Sequence, residues 1–120
     1  MKITFVVLTE FLKYQHIYSL LKMVSAAQAK HHEIRGVFFF GTGVLNINKA
    51  VKLGKNTINV PSLLGELAKT NVKMYACQTW ADNYGIFPEN TVEGIEIVGL
   101  GELSDLTAEC DKLVVFGSHA

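Results

Sequence analysis

The feature that most limits what this chain can fold into is a set of apolar runs without polar alternation. Val37-Phe38-Phe39-Phe40 and Leu113-Val114-Val115-Phe116 place apolar side chains on both faces of any strand they form, and Ile3–Leu8 is similar but for Thr4. A strand with one wet face alternates polar and apolar residues, whereas strands covered on both faces read as continuous apolar runs, the mark of a parallel sheet under helices. Between the runs the period changes. Ile17, Leu20, Leu21, Val24 and Ala27 recur at helical spacing within residues 10–30. A second strand is expected at Gly36–Phe40, entered from Ile34 and ended by Gly41-Thr42-Gly43. Residues 44–60, rich in lysine and asparagine, read as an irregular excursion. Pro61-Ser62 then opens a short helix with Leu63, Leu64 and Leu67 inward. A third strand follows at Val72–Ala76 and a short helix at Thr79–Tyr84, with Thr79 and Asp82 spaced as a capping box. Gly85–Glu93 reads as loop, Ile95–Val98 as a fourth strand, Glu102–Cys110 as a helix and Leu113–Phe116 as a fifth strand. Repeated strand–helix–strand order predicts an α/β fold, a parallel sheet with helices on both faces.

The 120 residues suit one domain over 1–120. With 49% hydrophobic residues and a mean hydropathy of +0.25, the chain is not of the disordered class. No apolar run reaches 18 residues, so no membrane-spanning helix is expected. The apolar start is too short for a secretory signal, and two cysteines do not make a disulfide framework, so a reducing, cytoplasmic setting is expected. Net charge is zero, which disfavours a generally basic nucleic-acid binder. The balance hides a polarity. Residues 1–60 carry eight Lys/Arg against two acids, and residues 61–120 carry three Lys against nine acids. Such a chain can present a basic and an acidic face for subunit docking or for steering an anionic partner, or simply two solvated faces.

Parallel α/β sheets place function at the carboxyl ends of their strands, here residues 9–11, 41–48, 77–82, 99–102 and 117–120. Cys77 sits where the third strand stops and a helix starts. A helix N-terminus favours a thiolate, the nucleophile of disulfide, persulfide and acyl chemistry. The competing reading is a small buried hydrophobe. Cys110 completes a stripe with Leu103 and Leu106 and is expected to face the core as a structural thiol. Gly41-Thr42-Gly43 and Gly99-Leu100-Gly101 lack the rest of any dinucleotide or P-loop fingerprint and read as tight turns, with a small-ligand site at Gly41–Gly43 as the weakest alternative. His31-His32 reads as a solvated helix end, and no Cys/His/Asp set has metal-ligand spacing, so no metal and no cofactor are expected. Trp80 and Tyr84, beside Cys77, suit either a partner surface or the core.

Taken in order, these segments resemble the DsrE/TusD family of sulfur-relay proteins. The resemblance rests on an aromatic strand and turn followed by Gly43-Val44, Asn46 and Asn48, on Cys77 at the end of the third strand, on Gly94–Leu103, and on the ending Glu109–Phe116. It implies a three-layer α/β/α sandwich around a five-stranded, mainly parallel sheet. It implies sulfurtransferase chemistry, with Cys77 carrying sulfane sulfur as a persulfide and passing it to an acceptor protein's thiol. Gly43, Asn46 and Asn48 would then shape the neighbouring loop, and Thr79 and Trp80 would flank the carrier. Lys49, Lys52 or Lys55 could stabilise the anion. The partners implied are sulfur donor and acceptor proteins and, for assembly, a homo-trimer, a hexamer or a hetero-oligomer of related subunits, with no direct nucleic acid or membrane contact. The pathway served, whether tRNA thiolation or sulfur oxidation, stays open. The alternative is a non-catalytic structural or regulatory subunit of such a complex. Thr9–Lys13 and Gln78–Asp82 depart from the family pattern, which bears on partner and assembly more than on fold.

Overall fold

A computed structural model describes residues 1–11, 16–52 and 59–117. Five strands, β1 (Lys2–Val7), β2 (Glu33–Phe39), β3 (Met74–Cys77), β4 (Ile95–Val98) and β5 (Lys112–Phe116), form one sheet in the order β4-β3-β2-β1-β5. Every pairing is parallel. The α-helices are α1 (His16–Ala29), α2 (Val60–Ala68), α3 (Gln78–Asn83) and α4 (Leu100–Ala108), with 3-10 helices at Gly41–Ile47 and Pro88–Asn90. The strands therefore fall where the apolar runs put them, within two residues at each end, except that β2 already begins at Glu33, three residues before Gly36.

The strand order explains the layers. From β1 to β4 each step goes the same way along the sheet, and the last connection jumps back to the far side of β1. Right-handed crossovers then put α4 on the opposite face from α1 and α2. The two faces hold separate cores. One joins Phe5, Val7, Val37, Phe39 and Met74 to Ile17, Leu20 and Val24 of α1 and Leu64 and Leu67 of α2. The other joins Val6, Phe38 and Cys77 to Leu106 of α4. Alternate residues of β2, Phe38 and Phe39, thus serve different layers, which is why the run shows no polar alternation.

Each α4 contact has a local cause. A Cβ at Gly36 would sit 3.0 Å from a Leu106 methyl, so the missing side chain lets α4 lie close on β2. The buried Thr4 hydroxyl donates to the Leu106 carbonyl at 2.8 Å, satisfying a polar group inside an apolar layer. At the end of α1, His31 takes a left-handed φ of 62° and His32 N–H bonds the Ala27 carbonyl at 3.0 Å, a Schellman-type stop made without glycine.

Five details depart from expectation. Thr79 is not a cap: α3 already begins at Gln78 and Cys77 holds the N-cap position, with no side-chain capping bond. The run after β2 is a 3-10 helix through Ile47 rather than irregular chain, and Pro88–Asn90 forms a short 3-10 turn in the expected loop. Leu63 is half-buried, while Leu64 and Leu67 are buried as expected. Cys110 lies past the end of α4, where the chain leaves the helix for β5. Its thiol donates to the Thr107 carbonyl at 3.4 Å, and it is half-buried rather than part of the core stripe. Lys55 and His119 lie outside the described residues, as does the middle of the 44–60 segment. Among the described residues no helix is long and apolar enough to cross a membrane.

Candidate functional site

Cys77 is the last residue of β3 and the residue from which α3 starts. Its partner across the ladder is Val98 of β4, and Ala76 before it pairs with Ile97. Side chains alternate across a strand, so Tyr75, Cys77, Glu96 and Val98 share the face that α4 covers. Cys77 is 2% exposed and belongs to an apolar cluster with Phe38, against which Phe40, Trp80, Val98 and Leu103 pack. Phe40 meets Trp80 edge-on, ring centres 5.9 Å apart, and Trp80 stacks on Tyr84 at 6.4 Å. Phe40 and Trp80 thus help to close, with Val98 and Leu103, the cluster in which the thiol is buried. Cys77 and Cys110 are both free thiols.

Trp80 is half-buried, touching the core of both layers, and Tyr84 is exposed. The answer to whether Trp80 is core or surface is that its ring is both. Thr79 is exposed on α3. Lys49 and Lys52 are exposed, and among the described residues neither makes a hydrogen bond or ion pair with Cys77.

Gly43 and Asn46 gather elsewhere, around the carboxyl end of β1, and Asn48 lies apart from both. A Cβ on Gly43 would lie 2.1 Å from the Val7 carbonyl oxygen, so only glycine permits this approach. Its N–H bonds the Phe40 carbonyl at 3.0 Å, which makes Gly41–Gly43 a turn rather than a phosphate cradle. Asn46 is fully buried. Its Nδ2 donates to the carbonyls of Thr9 at 2.9 Å and Gly43 at 2.8 Å, and this fixes the amide's orientation. Its Oδ1 is buried without a hydrogen-bond partner. Asn48 accepts from Ala50 N–H at 3.0 Å and forms an antiparallel bridge with Thr91, so it fastens the loop to the 3-10 turn before β4. β1 is two strands from β3, about 10 Å at ordinary strand spacing. Gly43 and Asn46 belong to the 3-10 helix that packs on α3 and β3, and Asn48 caps its end. Trp80 is the residue brought to Cys77.

Two groups near the site carried no sequence signal that was used. Tyr75, two residues before Cys77 on the same face, pairs across the ladder with Glu96. Burial first, then the charges of Glu102 and Glu96, raises its phenol above the ordinary tyrosine range. The strand period alone would have found it. Thr9 Oγ1 and His16 Nδ1 are hydrogen-bonded across the β1–α1 connection, and the His16 ring lies 5.7 Å from Phe116. That pair is made by chain folding, and no spacing reveals it. Among the described residues no group of three His, Cys, Asp or Glu could hold a metal ion.

The fold and this junction define a class: a five-stranded parallel α/β sandwich with a cysteine at a strand-to-helix switch on the sheet's carboxyl edge. Residues 1–116 match the DsrE/DsrF-like family, and the chain belongs to it. A relative named sulfurtransferase TusD from Erwinia tasmaniensis is 26% identical, over 85% of this chain and 89% of its own. A sulfurtransferase TusD homolog from Haemophilus influenzae is 30% identical, over 87% of this chain and 85% of its own. The crystal structure of the ychN protein from E. coli has the same fold, with a TM-score of 0.81 at 23% identity, covering 97% of this chain and all of that one.

Proposed function

We propose that this protein is a sulfur-relay carrier that holds sulfane sulfur as a persulfide on Cys77. The observation that carries the reading is the place of Cys77 at the end of β3 and the start of α3, in a chain whose relatives are named sulfurtransferases. The Cys77 thiolate attacks the terminal sulfur of a donor protein's persulfide. The bond between the donor's own sulfur and that terminal sulfur breaks, and the donor leaves as a thiolate. An acceptor thiolate then attacks the outer sulfur on Cys77, forms the acceptor's persulfide and returns the Cys77 thiolate. Sulfur moves without net oxidation, as in thiol–disulfide exchange. Because Cys77 is 2% exposed, each transfer requires the apolar cluster around it to open. The working site is cytoplasmic, where thiols stay reduced. Assembly with copies of itself or related subunits is supported by Leu113 and Val115 of β5, apolar residues exposed at 45% and 46% on the α4 side of the sheet, in register with Thr4 and Val6.

The test is the intact mass after incubation with polysulfide. A one-sulfur adduct should appear in the wild type and in Cys110→Ser and be lost in Cys77→Ser. Burial of Cys77 favours a second reading, a non-catalytic subunit of a relay complex. No adduct, or one that follows Cys110, would select it.

A further inference from the structure

The apolar cluster that buries Cys77 continues into exposed apolar surface. Tyr84, stacked on Trp80, is 41% exposed. Leu100, two residues past the Val98 that pairs with Cys77, is 54% exposed. The elements around this patch, β3, α3, β4 and α4, come from residues 74–111, which contain eight acids and no Lys, Arg or His. Two of the acids are already engaged: Glu109 pairs with Arg35, and Asp111 accepts from the Lys2 backbone N–H. Glu93 lies on the α2 side with Gly65 and Lys69, whereas Asp82, Glu96, Glu102 and Asp105, carried by α3, β4 and α4, form no ion pair among the described residues. Glu96 shares the Cys77 face as the ladder partner of Tyr75, and Glu102 lies in the first turn of α4, which covers that face.

We propose that Trp80, Tyr84 and Leu100, within this acidic rim, form the docking surface for a protein partner whose reactive thiol is surrounded by Lys and Arg. This rests on the relay reading and names the chemistry of its partner. An apolar centre with a charged rim is the ordinary anatomy of a transient interface, and a one-signed rim steers a partner of opposite sign and raises its encounter rate. A second copy, docking its lysine-rich half here, would bury Cys77 between subunits and shut out the acceptor thiol. The occupant is therefore a different, basic protein.

The full-length protein should be titrated with a lysine-rich peptide that has an apolar centre and no cysteine. Its counterpart carries glutamate at each lysine, and the emission of Trp80, the only tryptophan, is the readout. The lysine peptide should shift that emission and the glutamate peptide should not. Affinity should fall about tenfold between roughly 20 and 300 mM salt. The variant Asp82→Asn/Glu96→Gln/Asp105→Asn should weaken binding at least about fivefold, against Glu66→Gln on the opposite face as control. All four are exposed side chains, and unchanged circular dichroism checks folding. Equal binding of both peptides, or no effect of the triple variant, overturns the proposal. So does self-association that the triple variant abolishes while the lysine peptide stays unbound, which would put a second copy on this face. Peptide binding needs no sulfur chemistry. Persulfide loading without peptide binding therefore sinks only the docking surface, and binding without loading sinks only the relay.

Discussion

Cys77 was visible in the sequence as a cysteine between an apolar strand and a helix, but its seclusion was not. The rings that help to close its cluster come from the residue after β2 and from α3, and only the packing of α3 on the strand ends brings Phe40 and Trp80 together. Removing the larger ring should therefore expose the thiol. Trp80→Ala should raise the rate of Cys77 alkylation by iodoacetamide on the order of tenfold, the equivalent of ~1.4 kcal/mol off a local opening. An unchanged rate would mean that Trp80 does not help to close the cluster. Tyr75 offers a second test at this scale. Its native phenol titrates above its unfolded value because burial and nearby carboxylates disfavour the phenolate. The stability it contributes is thus complete below about pH 10 and is lost as pH rises from there through the native value. Alkaline unfolding of Tyr75→Phe should be shallower above about pH 10 than that of the wild type. Equal slopes would remove Tyr75 from the account.

Among the elements, α4 is the most dependent on a single residue. Leu106 is its one buried side chain, seated over Gly36, and its carbonyl takes the Thr4 hydroxyl. Leu106→Ala leaves a cavity beside Phe38 in the smaller core and should cost about 2–4 kcal/mol, measured by urea unfolding. A loss below about 1 kcal/mol would mean that α4 is held elsewhere. The same element shows where periodicity misleads. Cys110 fits the stripe of Leu103 and Leu106 by number, yet the helix ends at Ala108, so the stripe runs out before reaching it. Thr79 and Asp82 fit a capping box by number, but α3 begins two residues earlier than that pattern needs. Helix limits depend on which backbone groups the neighbouring strands leave free, and spacing does not contain that.

For the whole molecule, the strand order β4-β3-β2-β1-β5 leaves β5 on an edge, with Leu113 and Val115 exposed on the α4 side of the sheet. Lysine at both positions should reduce any self-association seen by sedimentation velocity while the melting temperature holds. Assembly that is indifferent to this change would place the contact elsewhere. The sequence by itself determined the class of fold, the existence and order of all five strands, and the cysteine worth testing. Continuous apolar runs, helical stripes and the change of period between them are local, and each is written in consecutive residues. The tertiary structure decided the rest: that Phe38 and Phe39 serve opposite layers, and that Asn46 pins the end of β1 while Trp80 packs at the end of β3. These depend on the direction in which each crossover steps along the sheet. That choice brings residues distant in sequence to one edge, and no local pattern encodes it.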